Sequence, residues 1–514
     1  MAKLLEHKAK SILSSFGIII PAGETAQTPQ GAADAAARIG GPVVLKAQAF
    51  VTGRAGKGLI KFCDTPDDAK AAASEMLGKV VGGFPIELVL VEQKLPIARE
   101  FFAACLVSDE IPGPLVVLAD RGGTGVEDMA KEGRAKLVRK PFDPALGLRP
   151  FEARAIAVEC GFGGKELGAV ADFLVSLVRV FLAEEARSLE VNPVVILEDG
   201  TLVAADCHFS VDDYAVPRHP ELEVEIAREI GHPPTELEKI AAAYEATDHR
   251  GTFYFLELGA KGDRLVGFHG AGGGGSMMSM DALVRNGFTA KNFCDTSGNP
   301  SAAKVYRAAK HILAQGGIVG YFASGSGVAS QEQFHSARGM VKAFREWPLC
   351  VPAVIRLGGN KEEVAIDILT RFLADLPVPV EAYGKDDSAA FCASRLAELV
   401  KDNPPVAPYE CKPTARTEPA KEPYAFKIRS GEISFDHAIC ATCETKPCIP
   451  SCHVEILEAV DGKPRLKEPA AESARKCTEC LACEMACFEI GKRSVKIDLP
   501  IPGFDEYLAK RGAK

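Results

Sequence analysis

The sequence predicts an α/β protein that carries a small α+β module towards its C-terminal end. Three observations support this. Residues 1–235 alternate helix-like and strand-like segments. Residues 250–400 repeat a rhythm of short strand, glycine-rich loop and helix. Eight of the sixteen cysteines crowd between Cys440 and Cys487. The strand–loop–helix rhythm calls for a parallel sheet. A chain of 514 residues exceeds a single core, and about 150 residues per domain suggests three or four.

The composition, 47% hydrophobic and 25% charged, is that of an ordinary globular protein. A net charge of -9 argues against nucleic acid as a partner, because a phosphate backbone needs a surplus of Lys and Arg. Residues 1–17 have no apolar signal region and no small-residue cleavage site, and read as an amphipathic helix. No run reaches about 18 uninterrupted apolar residues, so no membrane span is expected. The most apolar helix candidate, residues 170–183, is broken by Asp172 and Arg179.

Residues 41–47, 86–92 and 101–107 read as strands. Residues 188–197 and 202–206 form a strand pair about Glu198, Asp199 and Gly200, a hairpin turn signal. Further on, residues 265–275 lead into a helix over 276–285, and residues 317–327 into a helix from residue 330. Residues 401–424 hold six prolines and read as a stiff linker. The expected division is therefore 1–235, 250–400, the linker, and a module over 425–500.

Cys63, Cys105, Cys160, Cys207, Cys294, Cys350, Cys392 and Cys411 are scattered and read as small buried apolar residues. With no secretory signal, they imply a reducing, cytoplasmic setting. The other eight form two runs, Cys440, Cys443, Cys448, Cys452 and Cys477, Cys480, Cys483, Cys487. The second run matches the bacterial ferredoxin pattern, with Phe488 in place of the usual proline. In that pattern three cysteines of one run hold a 4Fe-4S cluster and the fourth crosses to the other. The resemblance implies two clusters, one on Cys440, Cys443, Cys448 and Cys487 and one on Cys477, Cys480, Cys483 and Cys452. One-electron transfer is the chemistry such a module supports. The competing reading, two structural zinc sites, leaves the third cysteine of each run unexplained.

Ordered motifs over residues 1–400 carry a second resemblance. They are LLEHKAKSILSSFG, VVLKAQAFVTGRAGKG, LVLVEQKLPIAREFF, SLEVNPVVILEDGTLVAADC, FHGAGGGGSMMSMDALVRNG, FCDTSGNPSAAKV, GYFASGSGVAS and VPAVIRLGGNKEE. Together they resemble the β subunit of succinyl-CoA synthetase and related nucleoside-diphosphate-forming acyl-CoA ligases. That family implies an ATP-grasp fold followed by a flavodoxin-like parallel α/β ligase domain. It implies ATP or GTP bound by Lys46, Gly53, Arg54, Glu92 and Glu100, with Mg2+ on Asn192 and Asp206. Glu190 would meet a phosphohistidine carried by an α-type partner subunit, which would also bring CoA. His269, Gly325, Ser326 and Gly327 would line the substrate and phosphate loops. This sequence departs from the family at His269, where the family has asparagine, and in its SGSG loop. The activity implied is acid, CoA and ATP giving acyl-CoA, ADP and phosphate, or the reverse. The cysteine module adds an expected ferredoxin-linked oxidoreductase or other redox partner. The alternative is an electron-transfer subunit whose ATP-grasp region is a scaffold or an ATP-responsive regulator.

Overall fold

A computed structural model of the chain describes residues 1–512 apart from Thr52, Thr124, Ser326 and the Glu127 side chain. It divides into two units, Met1–Pro234 and Thr235–Lys514. The fold class is α/β, as the sequence predicts.

The first unit is built on two antiparallel sheets. The larger centres on the long strands Ile97–Val107 and Ala186–Leu197. Their register shifts between Val191 and Val194. Pro193 lies in that shift, where its missing N–H costs no ladder bond. The helix Glu166–Ala183 covers this sheet, burying Val170, Leu174, Leu177 and Phe181 and leaving Asp172 and Arg179 outside. The two charges therefore mark the solvent face of an amphipathic helix. The smaller sheet pairs Gly23–Ala26, Val89–Gln93, Val43–Ala47 and Ile60–Cys63. Its helices start at well-made caps. Thr28 accepts from the Gly31 N–H before Pro29–Ile39, and Thr65 and Asp68 form a capping box on Pro66–Met76. The strand expected over 202–206 is broken into Leu202–Ala204 and Cys207–Val211, so Asp206 sits at the break.

In the second unit, the strands Leu265–Ala271, Gly320–Gly325, Ala353–Arg356 and Val380–Tyr383 run parallel in that order. Asn292–Asp295 lies on the other side of Leu265–Ala271 and pairs antiparallel with Tyr254–Glu257. The helix expected over 276–285 begins earlier, at Gly273, and the one expected from residue 330 begins at Phe334. The proline-rich stretch has no helix or strand between Asp402 and Pro423, yet it buries Thr414 and Ala415. The cysteine module holds a three-stranded sheet of Pro423–Lys427, Glu432–Asp436 and Lys496–Asp498, and the hairpin Leu457–Val460 with Lys463–Leu466. Its Phe435, Cys448, Met485 and Ile497 share one apolar core with Tyr306, Met340, Phe344 and Phe372. The pieces that the sequence separates as ligase domain, linker and module thus pack as one unit. No helix among the described residues is long and apolar enough to cross a membrane.

Candidate functional site

In the first unit six buried or part-buried charges converge. Lys46, on the strand Val43–Ala47, lies 2.8 Å from Glu6 and 2.9 Å from Glu92, and donates to the Ala205 carbonyl at 2.6 Å. Lys10 donates to both Glu92 oxygens at 2.7 and 2.8 Å and to the same carbonyl at 2.7 Å. Arg54 donates to Glu6 at 2.6 Å and reaches both oxygens of Asp206 at 2.7 and 2.8 Å. Three cations therefore face three carboxylates. Burial alone would raise the Glu6 carboxyl, but Lys46, Lys10 and Arg54 outweigh it and hold it well below the usual carboxylate range. For Lys46 burial works downward, and Glu6, Glu92 and Asp206 reverse it, so its ammonium is firmly charged.

Glu6 and Lys10 are absent from the residues expected from sequence. Their signal was present: they stand one turn apart on the N-terminal helix, on the same face as the buried Ala9 and Leu13. Glu92, expected to face a nucleotide, has its carboxylate engaged by Lys10 and Lys46.

Asn192 and Asp206 come together across the strand pair, the Asn192 N–H donating to the Asp206 carbonyl at 3.3 Å. The Asn192 amide closes on the Gly123 backbone, accepting at 2.7 Å and donating at 3.2 Å. It also donates to Glu190 at 3.3 Å, since residues two apart on a strand share a face. Glu100 lines a cleft of about 470 Å³ with Arg99, Asp120, Arg121, Gly122 and Met129. Gly53 has a φ of 65°, which favours glycine, and a Cβ there would meet nothing within 4 Å.

In the second unit the register pairs Ala271 with Gly325 and Gly270 with Asp295, gathering three loops at the C-terminal ends of the parallel strands. Asp295 accepts from the backbone N–H groups of Gly272 and Ser297, both at 2.8 Å. At Gly325 a Cβ would lie 2.9 Å from the Ala271 carbonyl, so only glycine permits this approach. Gly327 has a φ of 77° and stands against Arg356. Ser326 lies outside the described residues. His269 is buried within its strand, with Nδ1 2.7 Å from the Tyr321 hydroxyl and Nε2 3.2 Å from Thr296 Oγ1. Burial lowers its pKa to about 3, so it is neutral, and both ring nitrogens are occupied inside the protein.

The cysteines gather in two groups. Ser494 links the ends of the first: its hydroxyl is 2.9 Å from Cys440 Sγ and its N–H donates to Cys487 Sγ at 3.2 Å. Burial pushes Cys448 up to about 12, reinforced by the neighbouring Cys487, Cys440 and Cys443. In the second group burial likewise pushes Cys477 up to about 12, with Cys480 and Cys452 contributing. His453, which follows Cys452, lies 3.7 Å from Cys480 Sγ. The fourth cysteine of each run thus stands with the other run. Among the described residues no three cysteine sulfurs lie within 4.8 Å of one another. Of the scattered cysteines, Cys350 and Cys411 are half-buried and the other six buried.

A family model described as an ATP-grasp domain matches residues 3–196. The GDP-forming succinate–CoA ligase subunit beta of Thermus thermophilus is 34% identical over 366 residues, 71% of this chain and 93% of that protein. The ADP-forming subunit beta of Chloroflexus aurantiacus is 33% identical over 396 residues, 77% of this chain and 100% of that protein. Among solved structures, the ATP citrate lyase of Methanothrix soehngenii in complex with citrate and coenzyme A has a TM-score of 0.61 at 18% identity. It covers 77% of this chain and 99% of that one, and shares its fold.

Proposed function

Because the chain belongs to the succinate–CoA ligase β-subunit family, we propose that it is the nucleotide-binding subunit of an acyl-CoA-forming acid–thiol ligase and also carries electrons through two 4Fe-4S clusters. The buried charge cluster around Lys46 and Asp206 carries the first half of this reading. Lys46 and Arg54, whose ammonium and guanidinium groups stay charged despite burial, would meet the phosphates, with Lys10 beside them. Asn192 and Asp206 offer hard oxygen donors side by side and would hold a magnesium ion, which neutralises phosphate charge when present. Glu190, which accepts from Asn192, would be the carboxylate that meets a phosphohistidine of an α-type partner, which would also bring CoA. The acid is left open, because His269 is buried and neutral where the family's asparagine meets substrate.

The grouping of the cysteines supports the second half. Cys440, Cys443, Cys448 and Cys487 would hold one cluster, and Cys452, Cys477, Cys480 and Cys483 the other. Such clusters exchange single electrons.

Two measurements test the reading. The chain in complex with its α-type partner is expected to form acyl-CoA from an acid, CoA and ATP, and Lys46→Ala to abolish this. Unchanged activity in that variant removes the ligase assignment. Anaerobically purified chain is expected to contain about eight iron atoms. Cys487→Ser should lose roughly half of them while ATP still protects the first unit from proteolysis; unchanged iron content would refute the crossed assignment.

A further inference from the structure

We propose that Glu184, His219 and Glu221 form a binding site for a divalent cation of the zinc type. The site shares no residue with the ligase and iron–sulfur readings above and stands independently of both.

Two turns of the first unit bring these side chains together. Glu184 and Glu185 join the helix Glu166–Ala183 to the strand Ala186–Leu197. His219 stands between Val216–Arg218 and Pro220–Leu222, two single helical turns. One ligand atom from each of Glu184, His219 and Glu221 lies within 4.8 Å of the other two. His219 Nδ1 is 3.7 Å from Glu184 Oε2 and 2.9 Å from Glu221 Oε1. Two ligands on a tetrahedral zinc, each about 2.0 Å from the ion, stand roughly 3.3 Å apart. The observed separations fall on either side of that figure.

The buried carboxylate is what points to a cation. Glu184 is 7% exposed, and its Oε2 receives no hydrogen bond. Glu184 also caps the C-terminus of its helix, where the helix dipole favours a positive charge. A protonated His219 does not meet this need. Its Nδ1–H reaches Glu221 at 2.9 Å and its Nε2–H reaches Glu185 at 3.2 Å, so both protons are engaged elsewhere. A metal ion on Nδ1 does meet it. Glu184 Oε2 and Glu221 Oε1 then become ligands, and Nε2–H still donates to Glu185. Arg218 in turn donates to both Glu185 oxygens. A carboxylate held behind a metal-bound histidine fixes the ring and its tautomer. The imidazole nitrogen favours zinc over magnesium or calcium, which take oxygen ligands. Glu221 is exposed, so water can complete the coordination.

The test is equilibrium dialysis of the anaerobically purified full chain against Zn2+ in a large excess of Mg2+, with elemental analysis and zinc K-edge X-ray absorption. Wild type should hold a zinc whose nearest neighbours are nitrogen and oxygen at about 2.0 Å. Zinc on the cysteines would instead show sulfur at about 2.3 Å, so the two are told apart whether or not iron is present. His219→Ala and Glu184→Gln should lose the nitrogen–oxygen zinc. Glu185→Gln should weaken its binding about 10- to 100-fold, as loss of a supporting carboxylate does. Glu221→Gln changes an exposed side chain, leaves folding intact and should also weaken binding. Absence of bound zinc in wild type, zinc bound through sulfur alone, or a nitrogen–oxygen zinc unchanged in Glu221→Gln and His219→Ala would each overturn the inference.

Discussion

Replacing Lys342 with methionine is expected to destabilise the second unit by about 3–5 kcal/mol, the usual result of removing one partner from a buried ion pair. Lys342 and Glu484 are both 1% exposed or less and lie 142 positions apart. The Glu484 carboxylate also accepts from the Thr414 hydroxyl at 2.6 Å and the Ile497 N–H at 2.6 Å. It therefore joins the ligase-like body, the proline-rich stretch and the cysteine module at one point. Without the ammonium that carboxylate remains buried with only neutral donors. Urea unfolding followed by circular dichroism measures the loss. In the double variant Lys342→Met with Glu484→Gln part of it should return, because only the part-buried Glu346 carboxylate, which also accepts from the Tyr306 hydroxyl, then lacks its cation. A loss below about 1 kcal/mol in the single variant would show that the contact is incidental to stability.

Asp206→Asn should lower acyl-CoA formation by about 10²–10³-fold, the scale for removing one preorganised charge from a transition-state clamp. The substitution keeps the size of the side chain and its acceptance of the Cys207 N–H, but leaves Arg54 with Glu6 alone. Three cations then face two carboxylates, and the oxygen offered to magnesium is weaker. Steady-state rates with increasing Mg2+ should show a raised metal requirement together with the lower rate. A wild-type rate and Mg2+ dependence would remove Asp206 from the site. Cys207, buried beside it with its thiol pushed well up by burial, is a control position: Cys207→Ala should change stability more than rate.

Much of this protein was legible in one dimension. Alternating strand and helix patterns determined the α/β class, because periodicity reflects which face of an element is buried. The two runs of four cysteines stood out by their spacing alone, since residues a few positions apart in one loop stay close in space. Lys46, Arg54, Asn192 and Asp206 were recognisable because motif order survives on a shared fold.

Tertiary structure decided the rest. Glu6 and Lys10 look like an ordinary surface pair on an amphipathic helix until the smaller sheet brings Lys46, Arg54 and Glu92 against them. His269 sits in a glycine-rich motif that reads as a loop contact, yet the strand carries it inward to Tyr321 and Thr296. The proline-rich stretch has the composition of a free linker, but Thr414 anchors it to Glu484. Phe488, the departure from the ferredoxin pattern, finds its reason in Phe372, Arg345 and Arg493, whose side chains surround its ring. Nearly all of these pairings share one physical cause: a contact between residues tens of positions apart leaves no trace in local spacing. The sequence by itself determined the fold class and the ligase family to which the chain belongs; only folding decided which charges meet.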